Sequence, residues 1–195
     1  MHYLQLSKLN KKPYFDIGQI ADTLGITKPS ARVIASRYVK QGILIRLKNN
    51  CYVTSERWQA LDSMALFSLA NILQVPSYIS FLSALGFHEI STQVARGVIE
   101  SVSLKRSRSI RVKEQEFVYY KLRKKHYFGF HKKDGIFMAT AEKALADACY
   151  LYSLNRYALD FSALNLSRLN KRELSGVIRH YPKRTQQIVK KICKI

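Results

Sequence analysis

Lys28, Ser30, Arg32, Ser36, Arg37 and Lys40 are the side chains whose types and spacing first suggest chemistry. If the segment that carries them is helical, they lie opposite an apolar side made of Ala31, Ile34, Ala35, Tyr38 and Val39. No acid interrupts the polar side. A hydroxyl and an arginine near a helix N-terminus can reach base edges in a major groove, and further cations can hold phosphates, so the chemistry offered is recognition of duplex DNA. Arg46 and Lys48 follow within a few residues and would stand near the phosphate backbone. The same pattern also suits a scaffold that only packs or dimerises; the agreement of charge and face favours DNA.

Catalytic chemistry has little to draw on. The chain has thirteen carboxylates, and a metal-dependent nuclease wants two or three of them converging, often with Asp/Glu-x-Lys on a strand, a tripeptide that does not occur. There is no glycine-rich phosphate loop. His126 and His131 are five apart on expected strands, which points them to opposite faces, and Glu142 and Asp147, five apart on an expected helix, do not share a face. Neither an enzyme nor a cofactor or metal site is expected.

The elements that would position the polar helix are legible around it. Asp16 with Gln19 forms a capping-box pattern, Ile17, Ile20, Ala21 and Leu24 give one apolar face, and Gly25 ends that helix as a left-handed residue. Thr27 caps the second helix, with Pro29 tolerated in its first turn, and Gly42 closes it. Ile43–Leu47 and Cys51–Thr54 read as strands around Lys48-Asn49-Asn50, where Asn50 can take the positive φ that the turn needs. The whole stretch reads as a winged helix-turn-helix, the hairpin being the wing.

Length and charge frame the rest. A chain of 195 residues exceeds one small winged domain by more than a hundred, so two domains are expected: 1–54, winged and DNA-binding, and 55–195. Residues 1–54 hold nine Lys and Arg against Asp16 and Asp22, whereas residues 55–95 hold Arg57 against Glu56, Asp62 and Glu89, and this shift marks the joint. The net charge of +20 predicts a polyanionic partner, nucleic acid being the commonest. An anionic membrane is the rival, but no apolar run approaches the ~18 residues of a spanning helix and no cleavable signal stands at the start. A soluble cytoplasmic protein without a membrane partner is expected. Cys51, Cys149 and Cys193 are too scattered for a zinc site or a disulfide framework and read as packed, reduced thiols.

The fold class expected is α+β. Leu4, Leu6 and Leu9 could line a short leading helix. One helix is expected over Glu56–Leu73, with Trp58 as a core or interdomain anchor, and another from Pro76-Ser77 through Gly86. Five strands are expected at Val98–Leu104, Ser109–Val112, Phe117–Leu122, Tyr127–His131 and Ile136–Met138. This segment holds eleven Lys and Arg against four acids, with tyrosines interleaved. Such a mixture can be a stacking platform for single strands, but alternation with period two favours aromatics in the core and lysines on the other face. C-terminal helices are expected after Thr140, after Asn170 with its capping partner Glu173, and after Pro182.

With these residues in place a resemblance can be stated. The winged segment, then Ser77-Tyr78-Ile79-Ser80-Phe81-Leu82-Ser83-Ala84-Leu85, then strands, then Ala139-Thr140-Ala141-Glu142-Lys143-Ala144-Leu145-Ala146-Asp147 resembles, over roughly residues 10 to 155, the AbiEi-type antitoxins of type IV toxin–antitoxin systems. Gly42, Leu44, Arg46, Leu47 and Tyr52 also match the family's wing, while Asn50 stands where the family usually has Gly and Ala141 where Pro is common. The resemblance implies a winged domain that binds inverted repeats in the promoter of its own operon, and a second, antitoxin domain that counters a nucleotidyltransferase-like toxin without a stable complex. A stand-alone regulator with no toxin partner, or a nucleic-acid-processing enzyme with an unrecognised site, are the alternatives.

Overall fold

The structure is a computed structural model that describes residues 5–93 and 96–195. Helices and sheets mix throughout, an α+β architecture, and the chain divides into two compact units, Met1–Leu69 and Ala70–Ile195. The composition shift at residue 55 and the structural division after Leu69 therefore differ, because two further helices begin before the division.

In the first unit, α1 (Ile17–Leu24) starts at a complete capping box: Gln19 N donates to Asp16 Oδ1 at 2.9 Å and Asp16 N donates to Gln19 Oε1 at 3.0 Å. Gly25, at φ 66°, turns the chain out. α2 (Lys28–Lys40) is capped by Thr27, whose hydroxyl accepts from Ser30 N. It ends with Gly42 at φ 73° and a bond from Ile43 N back to Tyr38 O of 2.9 Å. β1 (Leu44–Lys48) and β2 (Cys51–Thr54) pair antiparallel, with a bulge between Arg46 and Lys48. Asn50 takes φ 54°, and its side-chain oxygen accepts from Ile17 N at 3.0 Å, tying the hairpin tip to the start of α1. Phe15 exchanges two backbone hydrogen bonds with Tyr52 and so adds a third, minimal strand. Ile20, Ala31, Ala35, Tyr38 and Leu44 meet in one core with Leu6 and Leu9. Leu4 lies outside the described residues; Leu6 and Leu9 belong to a short stretch that ends as a 3₁₀ turn, Ser7–Lys11.

The single helix expected over Glu56–Leu73 is two, α3 (Ser55–Gln59) and α4 (Ser63–Leu73). Two caps within one apolar repeat make the break: Thr54 accepts from Arg57 N, and Asp62 accepts from Ala65 N at 2.8 Å. Trp58 is buried.

The second unit is built on a six-stranded mixed sheet of β3 (Ser77–Ile79), β4 (Val98–Ser103), β5 (Arg108–Val112), β6 (Gln115–Lys121), β7 (Phe130–Lys133) and β8 (Ile136–Ala139), in the order β5-β6-β4-β3-β8-β7. The helix expected from Pro76 is thus corrected: its first residues form β3, antiparallel to β4 and parallel to β8, and only Phe81–Phe87 are helical (α5). A buried strand and a buried helix turn look alike in so short an apolar run, and Tyr78 and Ile79, both fully buried, satisfy the sheet on both faces.

α5 packs on one sheet face with α6 (Ala141–Ser153), which in turn carries α7 (Lys171–Ile178) and α8 (Lys183–Cys193). The last turn of α4 covers the opposite face, where Tyr119 Oη donates to Ala70 O at 2.7 Å. Both faces of β6 are therefore occupied, Phe117 and Tyr119 on one and Tyr120 on the other. The expected lysine-coated face is not found; the cations occupy turns and the outer strands instead, as Arg123, Lys124 and Lys125 and as Lys132 and Lys133 do. Charge on an edge strand discourages pairing with other chains.

Candidate nucleic-acid interface

All eight residues that the sequence singles out are exposed: Lys28, Ser30, Arg32, Ser36, Arg37 and Lys40 on α2, and Arg46 and Lys48 on the hairpin. Their exposure follows from the register of α2, which turns Ala31, Ala35 and Tyr38 into the core. Arg32, Ser36, Arg37 and Lys40 line one shallow depression together with Val33. Val33 is 68 % exposed, an unusual place for a β-branched residue, and the sequence reading missed it. The signal was available, because Val33 is three and four residues from Ser36 and Arg37, on the polar side. Amid cations, an exposed methyl pair is what a thymine methyl group would meet.

Two residues are engaged locally. The Ser30 hydroxyl lies 3.0 Å from the Thr27 hydroxyl and shares the cap. Arg46 folds onto its own turn, donating to Asn49 Oδ1 at 3.1 Å and to Lys48 O at 3.4 Å. Arg46 and Lys48 do not line the α2 depression. Among the described residues, Lys28, Arg32, Arg37 and Lys40 take part in no ion pair. Arg37 stands 5.9 Å over the ring of Tyr38, a cation–π contact that limits its reach without removing its charge.

The second unit holds a charged group that sequence reasoning did not find. Lys143 and Asp147, one helical turn apart on α6, form an ion pair with no exposure of either side chain. Lys143 Nζ also donates to Tyr78 Oη and Tyr181 Oη, each at 2.8 Å. Asp147 accepts from Tyr181 at 2.6 Å, and from Tyr78 and Ser80 at 2.9 Å. Each of the three ammonium protons has an acceptor, and both carboxylate oxygens are saturated, the condition under which a buried pair survives its desolvation. Burial pushes the lysine down, opposed by Asp147, and pushes both tyrosines well up. The rings of Tyr78, Phe128 and Tyr181 surround the ammonium. Gly129 closes over the lysine stem at φ 69°, where an added Cβ would lie 3.1 Å from Lys143 Cδ. A sealed group of this kind fastens α6 to β3 and to the α7–α8 connection; no reactant reaches it.

His126, buried and stacked on Tyr181 at 4.6 Å, and His131, exposed, do not come together. Among the described residues no group of three or more His, Cys, Asp or Glu could hold a metal ion, and no helix is long and apolar enough to cross a membrane. Cys51, Cys149 and Cys193 are free and buried, and burial raises all three thiols, Cys51 to about 11.

No family model matches the chain, and no curated protein does. Among solved structures, the chain is similar in fold to the RV2827C protein from Mycobacterium tuberculosis, with a TM-score of 0.63, 10 % identity, and coverage of 97 % of this chain and 74 % of that one. At that identity the likeness is one of architecture: an α+β chain built along the same lines.

Proposed function

We propose that the protein is a DNA-binding antitoxin that represses its own operon, not an enzyme. In this reading residues 1–54 are a winged helix-turn-helix domain. Its α2 lies in the major groove, with Arg32 and Arg37 directed at base edges, Val33 against a thymine methyl, and Lys28, Ser30, Ser36 and Lys40 holding the groove walls. Arg46 and Lys48 of the hairpin hold phosphates. The observation that carries the reading is the outward face of α2, cationic and hydroxylic, without an acid and without ion pairs among the described residues. The net charge of +20 supports it, since each neutralised phosphate releases counterions.

The antitoxin half of the proposal rests on the two motifs that resemble the AbiEi family. Tyr78 and Ser80 of the first motif bond to Asp147 of the second, so the resembling residues build one structural unit. The target would be a nucleotidyltransferase-like toxin encoded beside this gene, countered without a stable complex.

One experiment tests both halves. The full chain, and a variant with Arg32→Ala and Arg37→Ala together, are expressed from a foreign promoter in cells carrying the upstream region fused to a reporter, with the neighbouring gene under separate induction. The parent should repress the reporter and protect growth; the double variant should lose repression and keep protection. Repression without any protection would leave a stand-alone regulator, and no binding to the upstream DNA would remove the operator reading. Degradation of labelled DNA or RNA by the purified chain with Mg²⁺ would replace both by an enzyme.

A further inference from the structure

A second site stands on the α5 side of the sheet, far along the chain from α2. Leu82, Glu100, Tyr120, Tyr152, Arg156 and Tyr157 line a broad, open depression of about 560 Å³, in volume within the range of small-ligand sites. Glu100 forms its floor and is only 9 % exposed. One of its oxygens, Oε2, accepts from Leu82 N at 3.0 Å and from Tyr157 Oη at 2.8 Å; the other, Oε1, has among the described residues only a long contact of 3.5 Å with Tyr120 Oη. Burial pushes the carboxyl up, and these three donors pull it back. An acceptor with spare capacity thus faces an aromatic-lined space.

The walls are held with unusual stringency. Phe81, fully buried, adopts φ 54°, a left-handed conformation that bulky residues rarely take, and packs its ring 4.7 Å from Tyr120 and 5.2 Å from Tyr157. That backbone turn aims Leu82 N at Glu100. Arg156 at the rim also lines an adjacent cavity of about 280 Å³, in which Lys121 and Arg123 join it. Lys121, Arg123 and Arg156 therefore line a hollow that shares Arg156 with the tyrosine-lined depression to which Glu100 belongs.

We propose that this composite site binds a nucleotide whose base carries an amino group, its base between Tyr120, Tyr152 and Tyr157 with the amino group donating to Glu100 Oε1, and its phosphates on Arg156, Lys121 and Arg123. Every base has a π-face to stack on tyrosine, and a carboxylate accepts from an exocyclic amino group such as cytosine N4. In the same pose uracil sets its O4 carbonyl, an acceptor, against the carboxylate where cytosine sets its amino donor, and is held less tightly. The proposal is independent of the operator reading, and the nucleotide is either free or the end of a single strand.

Equilibrium dialysis of the full chain at about 0.3 M salt, where loose surface attraction is screened, tests it with CTP, UTP and inorganic tripolyphosphate. CTP should be retained about tenfold better than UTP or tripolyphosphate, one good hydrogen bond to a charged group in free-energy terms. Arg156→Ala, a change at an exposed residue, should weaken CTP by about tenfold and leave binding to the upstream duplex unchanged. Glu100→Gln should erase the contrast between CTP and UTP, since an amide donates as well as accepts; should that variant fail to fold by circular dichroism, Tyr152→Ala takes its place and should weaken CTP and UTP alike. A short oligocytidine run in parallel distinguishes the source, the tighter of the two ligands being the one the site takes. Equal retention of tripolyphosphate and CTP, no response to Arg156→Ala, or retention of neither CTP nor oligocytidine overturns the proposal.

Discussion

Arg32, Arg37 and Lys40 on α2 stand exposed around one depression and take part in no ion pair among the described residues, while Lys143 on α6, of the same charge, is enclosed by three aromatic rings and bonded at every proton. Like charges on α2 repel weakly because water screens them, so the face costs the fold little and remains free to displace counterions from a polyanion. The enclosed lysine has the reverse economy. Its charge is invisible to any partner, and its removal or orphaning falls wholly on the fold. One unit thus leaves its cations exposed to solvent, and the other consumes one for architecture.

Breaking the enclosed pair should give the largest effect. Asp147→Ala leaves an ammonium without its counter-charge and should destabilise the second unit by about 3–5 kcal/mol, read as a lower urea midpoint for loss of helical circular dichroism. Replacing the pair together, Lys143→Met with Asp147→Leu, should recover much of that loss. A double variant as unstable as the single would show that the tyrosine hydroxyls, not the charges, dominate the site.

On α2 the pattern should invert. Arg32→Ala and Arg37→Ala should each cost about 1–3 kcal/mol of operator binding and relax specificity at one base position, with urea midpoints shifted by no more than about 0.5 kcal/mol. Unchanged affinity in both variants, measured by fluorescence anisotropy, would show that another face meets DNA.

A gentler effect comes from His126. Its ring is buried, neither nitrogen has a hydrogen-bond partner among the described residues, and desolvation, with repulsion from Lys125 and Lys143, lowers it to about 4 from 6.5. The unfolded chain therefore takes the proton first: the stability is fully present above about pH 6.5 and is lost progressively as pH falls towards 4. His126→Phe should keep the stack on Tyr181 and flatten that part of the stability–pH curve. A slope that persists would assign the acid sensitivity elsewhere. The smallest change is Lys48→Ala, which should weaken all duplex sequences alike and lower the salt slope by about 1.

What could be read from the chain was what is decided locally. Asp16, Thr27, Thr140 and Asn170 cap helices because a cap needs only its own next few residues, and Asn50 takes its positive φ for the same reason. Even there a distant partner intrudes: Asn170 N, which a full capping box would give to Glu173, donates instead to Glu142 on α6 at 3.0 Å. The enclosed pair was not legible. A Lys and an Asp four apart look like any solvated helix pair, and the groups that bury them, Tyr78, Ser80 and Tyr181, lie 65, 67 and 34 residues from the residue each bonds. The strand identity of Ser77–Ile79 was hidden likewise, since its neighbours in the sheet come from residues 101–103 and 138. At the α2 face the exposure of the six expected residues is legible from period alone; Val33 escapes that reading because a valine is assigned inward by default.

The bond from Ile17 N to Asn50 Oδ1 gives the hairpin a property beyond its own pairing. A two-stranded ribbon in water swings about its base, and an arm that swings must be stilled each time it meets a surface. Pinned at its tip to the amino end of α1, this ribbon is stilled once, at folding. Its two cations, Arg46 and Lys48, are thereby carried at a fixed spacing from the helices that follow α1's start.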